Sequence, residues 1–260
     1  MPFITLTTDM GLKDYYVSSI KGSIISQLPE ATIIDITHEV KPWDILQASF
    51  IIKNAYSNFP AGTVHIVGVD TELGSDRNHI ALKYDGHYFV GTDNGIFSLM
   101  LDRKPEKIVE LNLAPEHGLT FPTKDIFVKA ACHLARGGTL EILGKEIESI
   151  KQVNLGIPAT EENTIVGKII YVDNYENVIC NINESTFKRI SKGRPFSIYK
   201  GGTEYQVNTI SKSYNDQDPG DIVVLFNEMG YLEIAINKGN ACSLLNLKIG
   251  DQIRIYFDSK

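Results

Sequence analysis

HIVGVDTELGSDR, residues 65–77, is the stretch that decides the fold. A β-branched run from Val64 to Val69 stops abruptly at a carboxylate, Asp70, and Arg77 follows seven residues later across a glycine-containing loop. In an open α/β sheet, ligands bind outside the carboxyl ends of the strands, so Asp70 stands where a site belongs. The start of the chain repeats the idea: in FITLTTDMG, residues 3–11, a strand over 3–7 delivers Asp9 into a turn containing Gly11. Two strand-end aspartates in one apolar framework point to a site as well as a fold.

Working outward, helix and strand signals alternate. Residues 14–27 carry Tyr16, Ile20 and Ile24 at helical spacing and stop before Pro29. TIIDI, 32–36, reads as a strand, and DILQASFIIKNAY, 44–56, as an amphipathic helix opened by Asp44. Strands are predicted over 63–69, 80–84 and 88–92 and a short helix over 93–101. KDIFVKAACHLAR, 124–136, is a helix that ends at Gly137-Gly138. Helices interleaved with buried-looking strands predict an α/β domain: a mostly parallel sheet with helices on both faces. From residue 164 the texture changes to short, often alternating β runs (IVGKIIYVD, NVICNI, FSIYK, YQVNTI, DIVVLFN, YLEIAI, QIRIYF) divided by Gly, Asn and Asp turns. That density predicts a small antiparallel β-barrel. The boundaries expected are an α/β domain over 1–153, a linker over 154–163 and a β-barrel domain over 164–260.

Composition narrows the partners. With 25 basic against 32 acidic residues the chain carries a net charge of −7, and no Lys/Arg cluster offers a nucleic-acid face. No apolar run reaches the length of a membrane span, and MPFITLTTD already reads as a strand rather than a secretory leader. Cys132, Cys180 and Cys242 are odd in number, far apart and without a CxxC pair, which argues against a disulfide framework and a cysteine zinc site. The expectation is a reduced, cytoplasmic protein.

A longer pattern then emerges in order along the chain. TTDMG at 7–11, KPWD at 41–44, VGVD at 67–70 with Arg77, TDNG at 92–95, TFPTKD at 120–125, VDNYENVICNI at 172–182 and NEMGYLEIAINKGNA at 227–241 together resemble the S-adenosyl-L-methionine (SAM) hydrolases, or SAM hydroxide adenosyltransferases. These are relatives of the adenosyl-fluorinase and chlorinase. No single motif is specific, but the ordered set spans nearly the whole chain. The resemblance implies the same two-domain fold, a homotrimer with the site at the subunit interface, and attack of water, hydroxide or halide on the ribose C5′ of SAM with methionine expelled. The leaving sulfur departs as a neutral thioether and needs no general acid, so neither metal nor cofactor is implied; the protein has to align and desolvate the nucleophile.

The resemblance also assigns residues. Asp9 matches the carboxylate that takes the two ribose hydroxyls; its plain alternative is a helix N-cap, and the two roles can coexist. Trp43 and Phe121 match aromatic walls beside the adenosine, and packing is their plain alternative. Asp70 and Arg77 match two members of an Asp–Arg–His set that activates water; as a loop ion pair they would be worth little. The family histidine falls on Pro122, and the usual Asp-Pro-Gly-Val-Gly loop is here Asp70-Thr71-Glu72-Leu73-Gly74. His79, His117 and Glu72 are the candidate substitutes for the missing histidine. Leu73 fills the slot of a fluorinase threonine, which disfavours halide as the nucleophile. Asn94, in TDNG, is either a site residue or a turn residue. Asp173 would hold the methionine ammonium and Asn177 the adenine edge, with Tyr175 in place of a phenylalanine and backbone groups near Asn237 and Lys238 completing recognition. Glu228 occupies the slot of the serine that meets the methionine carboxylate, a repulsive pairing. The reading is a SAM hydrolase forming adenosine and L-methionine. The alternative is a catalytically degenerate adenosine or SAM binder.

Overall fold

The two strands that end in aspartates lie side by side. In the computed structural model, which describes residues 2–114, 120–154, 156–200, 203–205 and 207–258, β1 (Phe3–Thr8) and β3 (Val64–Gly68) pair in parallel from Ile4 opposite Val64 to Thr8 opposite Gly68. That register brings Asp9 and Asp70 out at the same sheet edge. Gly68 is required there: a Cβ on it would lie 2.9 Å from the Thr123 side chain and 3.2 Å from that of Thr8. Its absence lets the π-helical turn Thr123–Phe127 press onto the strand end.

The chain forms two compact units, 1–155 and 156–260. In the first, β1 and β3 are joined by β2 (Thr32–Thr37), β4 (His79–Tyr84), β5 (His87–Thr92), β6 (Lys107–Leu111) and β7 (Gly144–Glu146) in the order β2-β1-β3-β5-β4-β6-β7. The pairs β2-β1, β1-β3 and β3-β5 are parallel, whereas β5-β4, β4-β6 and β6-β7 are antiparallel. The sheet is therefore parallel only in the half that carries the aspartates. The switch comes from Asp85-Gly86, both at positive φ (52° and 79°), which fold β4 and β5 into a tight hairpin. One apolar cluster joins Ile4, Leu6 and Ile66 to α1 (Tyr16–Gln27), α4 (Val128–Ala135) and α5 (Leu140–Leu143). A second joins Val67, Val69, Ile80 and Phe89 to α2 (Ile45–Ala55) and α3 (Ile96–Met100). Ile66 and Val67 enter different clusters because successive strand side chains point to opposite faces.

In the second unit, β8 (Ala159–Thr160) pairs with β9 (Thr164–Val172), so a short strand lies inside the stretch expected to be linker. The others are β10 (Val178–Asn183), β11 (Phe196–Lys200), β12 (Thr203–Tyr205), β13 (Ile222–Phe226), β14 (Tyr231–Ile236) and β15 (Gln252–Phe257), in the order β12-β11-β15-β9-β10-β14-β13 with every pair antiparallel. Ile165, Ile169, Ile182, Leu232, Ile234, Ile253 and Ile255 fill its main cluster. Besides α7 (Ala241–Leu244), the unit holds α6 (Glu184–Ser191), capped by Asn183, whose side chain accepts from Thr186 N. The sequence reading missed α6 because its polar residues dominate a short segment. No helix among the described residues is long and apolar enough to cross a membrane.

Candidate active site

In the first unit a cavity of ≈ 450 Å³ opens at the shared end of β1 and β3, lined by Asp9, Trp43, Asp70, Thr71, Glu72, Leu73, Thr120 and Pro122. Six of the positions singled out in the sequence, Asp9, Trp43, Asp70, Glu72, Leu73 and Pro122, thus line one cavity. Asp9 is not a helix cap: α1 starts at Tyr16, and Asp9 Oδ2 instead accepts the Trp43 N–H at 2.9 Å. This bond fixes the turn before α2, where Trp43 takes a left-handed backbone (φ 65°) with its side chain 73% exposed. Asp70 is also left-handed (φ 48°). Positive φ in a bulky aromatic is costly and persists where the surroundings over-determine it, commonly at ligand sites. The Asp9 turn is held from behind by His38, whose carbonyl accepts Gly11 N at 2.8 Å and whose Nδ1 pairs with buried Thr8 Oγ1 at 2.8 Å.

Arg77 Nη1 donates to Asp70 Oδ2 at 2.8 Å. The pair closes over a tight turn in which Gly74 and Arg77 exchange backbone hydrogen bonds of 3.1 and 3.3 Å. Asn94 fixes the loop from below. It is buried, its Nδ2 donates to the Val69 and Asp70 carbonyls, both at 3.1 Å, and its Oδ1 accepts Ile96 N. Asn94 is thus a clamp for Asp70 rather than a simple turn former. His79 is buried, with Nε2 2.9 Å from the Thr71 carbonyl. A carbonyl only accepts, so that nitrogen carries the proton, and burial lowers the pKa. His79 supports the loop and does not line the cavity. Glu72 does line it and is exposed. Pro122 stands on the wall where the family histidine is expected, and among the described residues no histidine lines this cavity. His117 lies outside the described residues. Phe121 turns away: it packs against the first apolar cluster and meets Tyr16 edge-on at 5.4 Å.

The second unit has a cavity of ≈ 620 Å³ lined by Asp173, Tyr175, Glu176, Asn177, Tyr214, Asn237, Lys238 and their neighbours. Asp173 Oδ1 accepts the N–H groups of Tyr175 and Asn177 at 2.9 and 2.8 Å, and its Oδ2 accepts Asn177 Nδ2 at 3.0 Å. The carboxylate thereby shapes the loop and leaves Asn177 Oδ1 as the amide's open acceptor. Glu176 (φ 61°) docks on α7 through Ser243. Asn237 is buried; its Nδ2 donates to the Gln217 carbonyl at 2.7 Å and its backbone N–H to Asp221. Glu228 sits exposed in the turn between β13 and β14 and does not line the cavity. Two groups escaped the sequence reading. Tyr214 is on the cavity wall, and Glu233, buried on β14, accepts its hydroxyl. The period-2 pattern of YLEIAI assigns Glu233 to the face away from Leu232 and Ile234, which reads as solvent until the segment bearing Tyr214 covers it.

Known proteins match the chain along nearly its whole length. Family models for the SAM hydroxide adenosyltransferase N-terminal and C-terminal domains match residues 4–144 and 167–254. An (R)-S-adenosyl-L-methionine hydrolase of Methanocaldococcus jannaschii is 30% identical over 99% of this chain and 97% of its own. One from Salinispora tropica is 31% identical over 98% and 97%. A crystal structure of an uncharacterized conserved protein from Thermotoga maritima superposes with a TM-score of 0.90 at 33% identity, covering 98% of this chain and 99% of that one. With both domain models matched in order and the strand-end aspartates opening into one cavity, the chain belongs to the SAM hydroxide adenosyltransferase family.

Proposed function

We propose that this protein hydrolyses SAM to adenosine and L-methionine. The observation that carries the reading is Asp70, held by Arg77, on the lining of the same cavity as Asp9 and Trp43. Water oxygen attacks ribose C5′, the C5′–S bond breaks, and its electron pair goes to the sulfonium, which leaves as the neutral thioether of methionine. The proton lost by the water passes to the Asp70 carboxylate or to solvent. Arg77 stabilises the developing hydroxide, and its bond to Asp70 fixes both groups before substrate arrives. Asp9 retains Oδ1 to accept from a ribose hydroxyl while Oδ2 holds Trp43. Asp173 and Asn177 supply acceptors for an ammonium and an adenine edge.

The proposal extends to a homotrimer with the site at the subunit interface, a cytoplasmic location, and catalysis without metal or cofactor. It extends also to helices on both faces of the first sheet and to a barrel-like second unit. Support for the last two comes from the two separate apolar clusters about the first sheet and the single main cluster of the second. Incubating purified protein with SAM and quantifying adenosine by chromatography tests the activity. Adenosine accumulating with methionine in equal amounts is the expected result. Binding without turnover would support the second reading, a non-catalytic adenosyl-ligand binder, which Pro122 on the cavity wall favours.

A further inference from the structure

Glu233 is the one buried carboxylate of the second unit that the proposed chemistry leaves unused. It lies 3% exposed on β14, paired across the sheet with Ile179 and Leu225. The small apolar cluster of Val223, Leu225 and Ala235 surrounds its face of the sheet. Among the described residues no Lys, Arg or His comes within ion-pair distance of it. Burying an unpaired carboxylate is expensive, and β14 could carry an apolar residue there at no cost to the sheet. What Glu233 does hold is a bond of 2.6 Å from the Tyr214 hydroxyl and one of 3.3 Å from Asn227 Nδ2.

Tyr214 is the partner on the ligand side. It lines the 620 Å³ cavity together with Asp173 and Asn177, on a short 3-10 turn, Tyr214–Asp216. Its ring is 43% exposed and stacks on no other ring among the described residues, so the hydroxyl bond is what orients it. Asn227 in turn closes the turn between β13 and β14, its Oδ1 accepting Met229 N and Tyr231 N, each at 3.1 Å. A charged acceptor gives a shorter and stronger bond than a neutral one, which explains a carboxylate here in place of an amide.

We propose that Glu233 is a positioning residue for the adenosyl ligand: it holds the Tyr214 ring in place as part of the wall of the second unit's cavity, with Asn227 as its second donor. The inference rests on the adenosyl-ligand reading above. Without the bond, the ring leaves the wall and has to be ordered again at each binding event, a cost that falls on affinity. Asp70, which lines the first unit's cavity, and its partner Arg77 are untouched, so turnover of bound substrate is preserved.

Calorimetry with adenosine and with SAM, together with steady-state turnover and thermal melting, tests this on the full chain. Tyr214→Phe keeps the ring and the fold; Glu233→Ala removes the acceptor; Glu233→Gln keeps a neutral one. Tyr214→Phe and Glu233→Ala are each expected to weaken adenosine binding about tenfold, the worth of one charge-assisted hydrogen bond. KM for SAM should rise in parallel with kcat within about twofold, and Glu233→Gln should recover part of the loss. Wild-type protein that binds neither ligand overturns the functional reading on which the inference stands. Wild-type binding with Tyr214→Phe unchanged in affinity overturns the positioning role alone, as does a Glu233→Ala variant that loses melting temperature but not affinity.

Discussion

Asp70 owes its usefulness to a backbone that an ordinary residue avoids. At φ 48° the chain turns sharply off β3 and aims the carboxylate across the Gly74 turn at Arg77. Asp70 was legible in the sequence because a β-branched run that ends in a carboxylate has few other readings. Asn94 was only half legible, because Asp-Asn-Gly reads as a turn whether or not its amide reaches another loop. Substitution separates the two roles. Asp70→Asn keeps the side-chain shape and removes the charge; with Asp70 18% and Arg77 38% exposed, the lost pair costs about 1 kcal/mol of stability or less. Turnover should fall by about 100-fold or more with the SAM dissociation constant within a few-fold, measured by initial rates and calorimetry. Asn94→Ala works through the fold: it strands the buried Val69 carbonyl and the part-buried Asp70 carbonyl, and its cost of about 2 kcal/mol should appear in urea unfolding, with turnover falling as the Asp70 loop loosens. If Asn94→Ala is as stable as wild type, the clamp does not exist.

At the scale of elements, what the sequence announced best was what local chemistry alone decides. Asp44 was expected to open α2, and its side chain accepts Gln47 N at 2.9 Å. The cap has a second consequence, because Trp43 immediately precedes it and is tied to Asp9. Asp44→Ala is therefore predicted to cost about 1 kcal/mol, the usual worth of a cap, and also to weaken adenosine binding as Trp43 loses one of its two anchors. Differential scanning calorimetry and adenosine titration would read the two effects, and a loss of stability with unchanged affinity would show that Trp43 does not depend on its helix. What was not legible was non-local. The antiparallel half of the first sheet depends on how β4 and β6 pair, and local periodicity cannot separate a parallel strand from an antiparallel one. The resemblance implied Phe121 as a site wall, with packing as the alternative; its neighbours Thr120 and Pro122 line the cavity, while the ring packs on Tyr16, more than a hundred residues away in sequence.

At the scale of the whole molecule, the two units differ in what titrates near neutrality. All six histidines, His38, His65, His79, His87, His117 and His133, fall in residues 1–155. Three are held neutral by burial: His65, with a pKa lowered to about 3, and His79 and His87, also lowered. His65 sits in a chain of side chains, with Thr5 Oγ1 2.7 Å from its Nδ1, His87 Nδ1 3.1 Å from its Nε2, and Phe89 stacked on it at 4.7 Å. The sign follows from the direction of the shift. These groups bind protons more readily unfolded, so their contribution is fully present above about pH 6.5 and is lost as the pH falls toward the folded values. For His65 alone the loss at pH 5.5 is about 1.4 kcal/mol, with His79 and His87 adding in the same direction. Burial raises Asp93 in the first unit and Glu233 in the second, so these carboxyls take up a proton more readily in the folded state and do not add to that loss, and the second unit has no histidine to respond. Acidification from pH 7 to 5.5 should therefore loosen the first unit selectively. Hydrogen–deuterium exchange at the two pH values, corrected for intrinsic rates, should show protection falling across β1, β3 and β5 while β9, β10 and β14 hold theirs. Equal loss in both units would mean that buried histidines do not set the acid limit of this fold. Loss in the first unit alone would place that limit in the sheet that carries Asp9 and Asp70, with His79 on the Thr71 carbonyl as the lowered group nearest Asp70, so activity should decline with protection on the same pH axis.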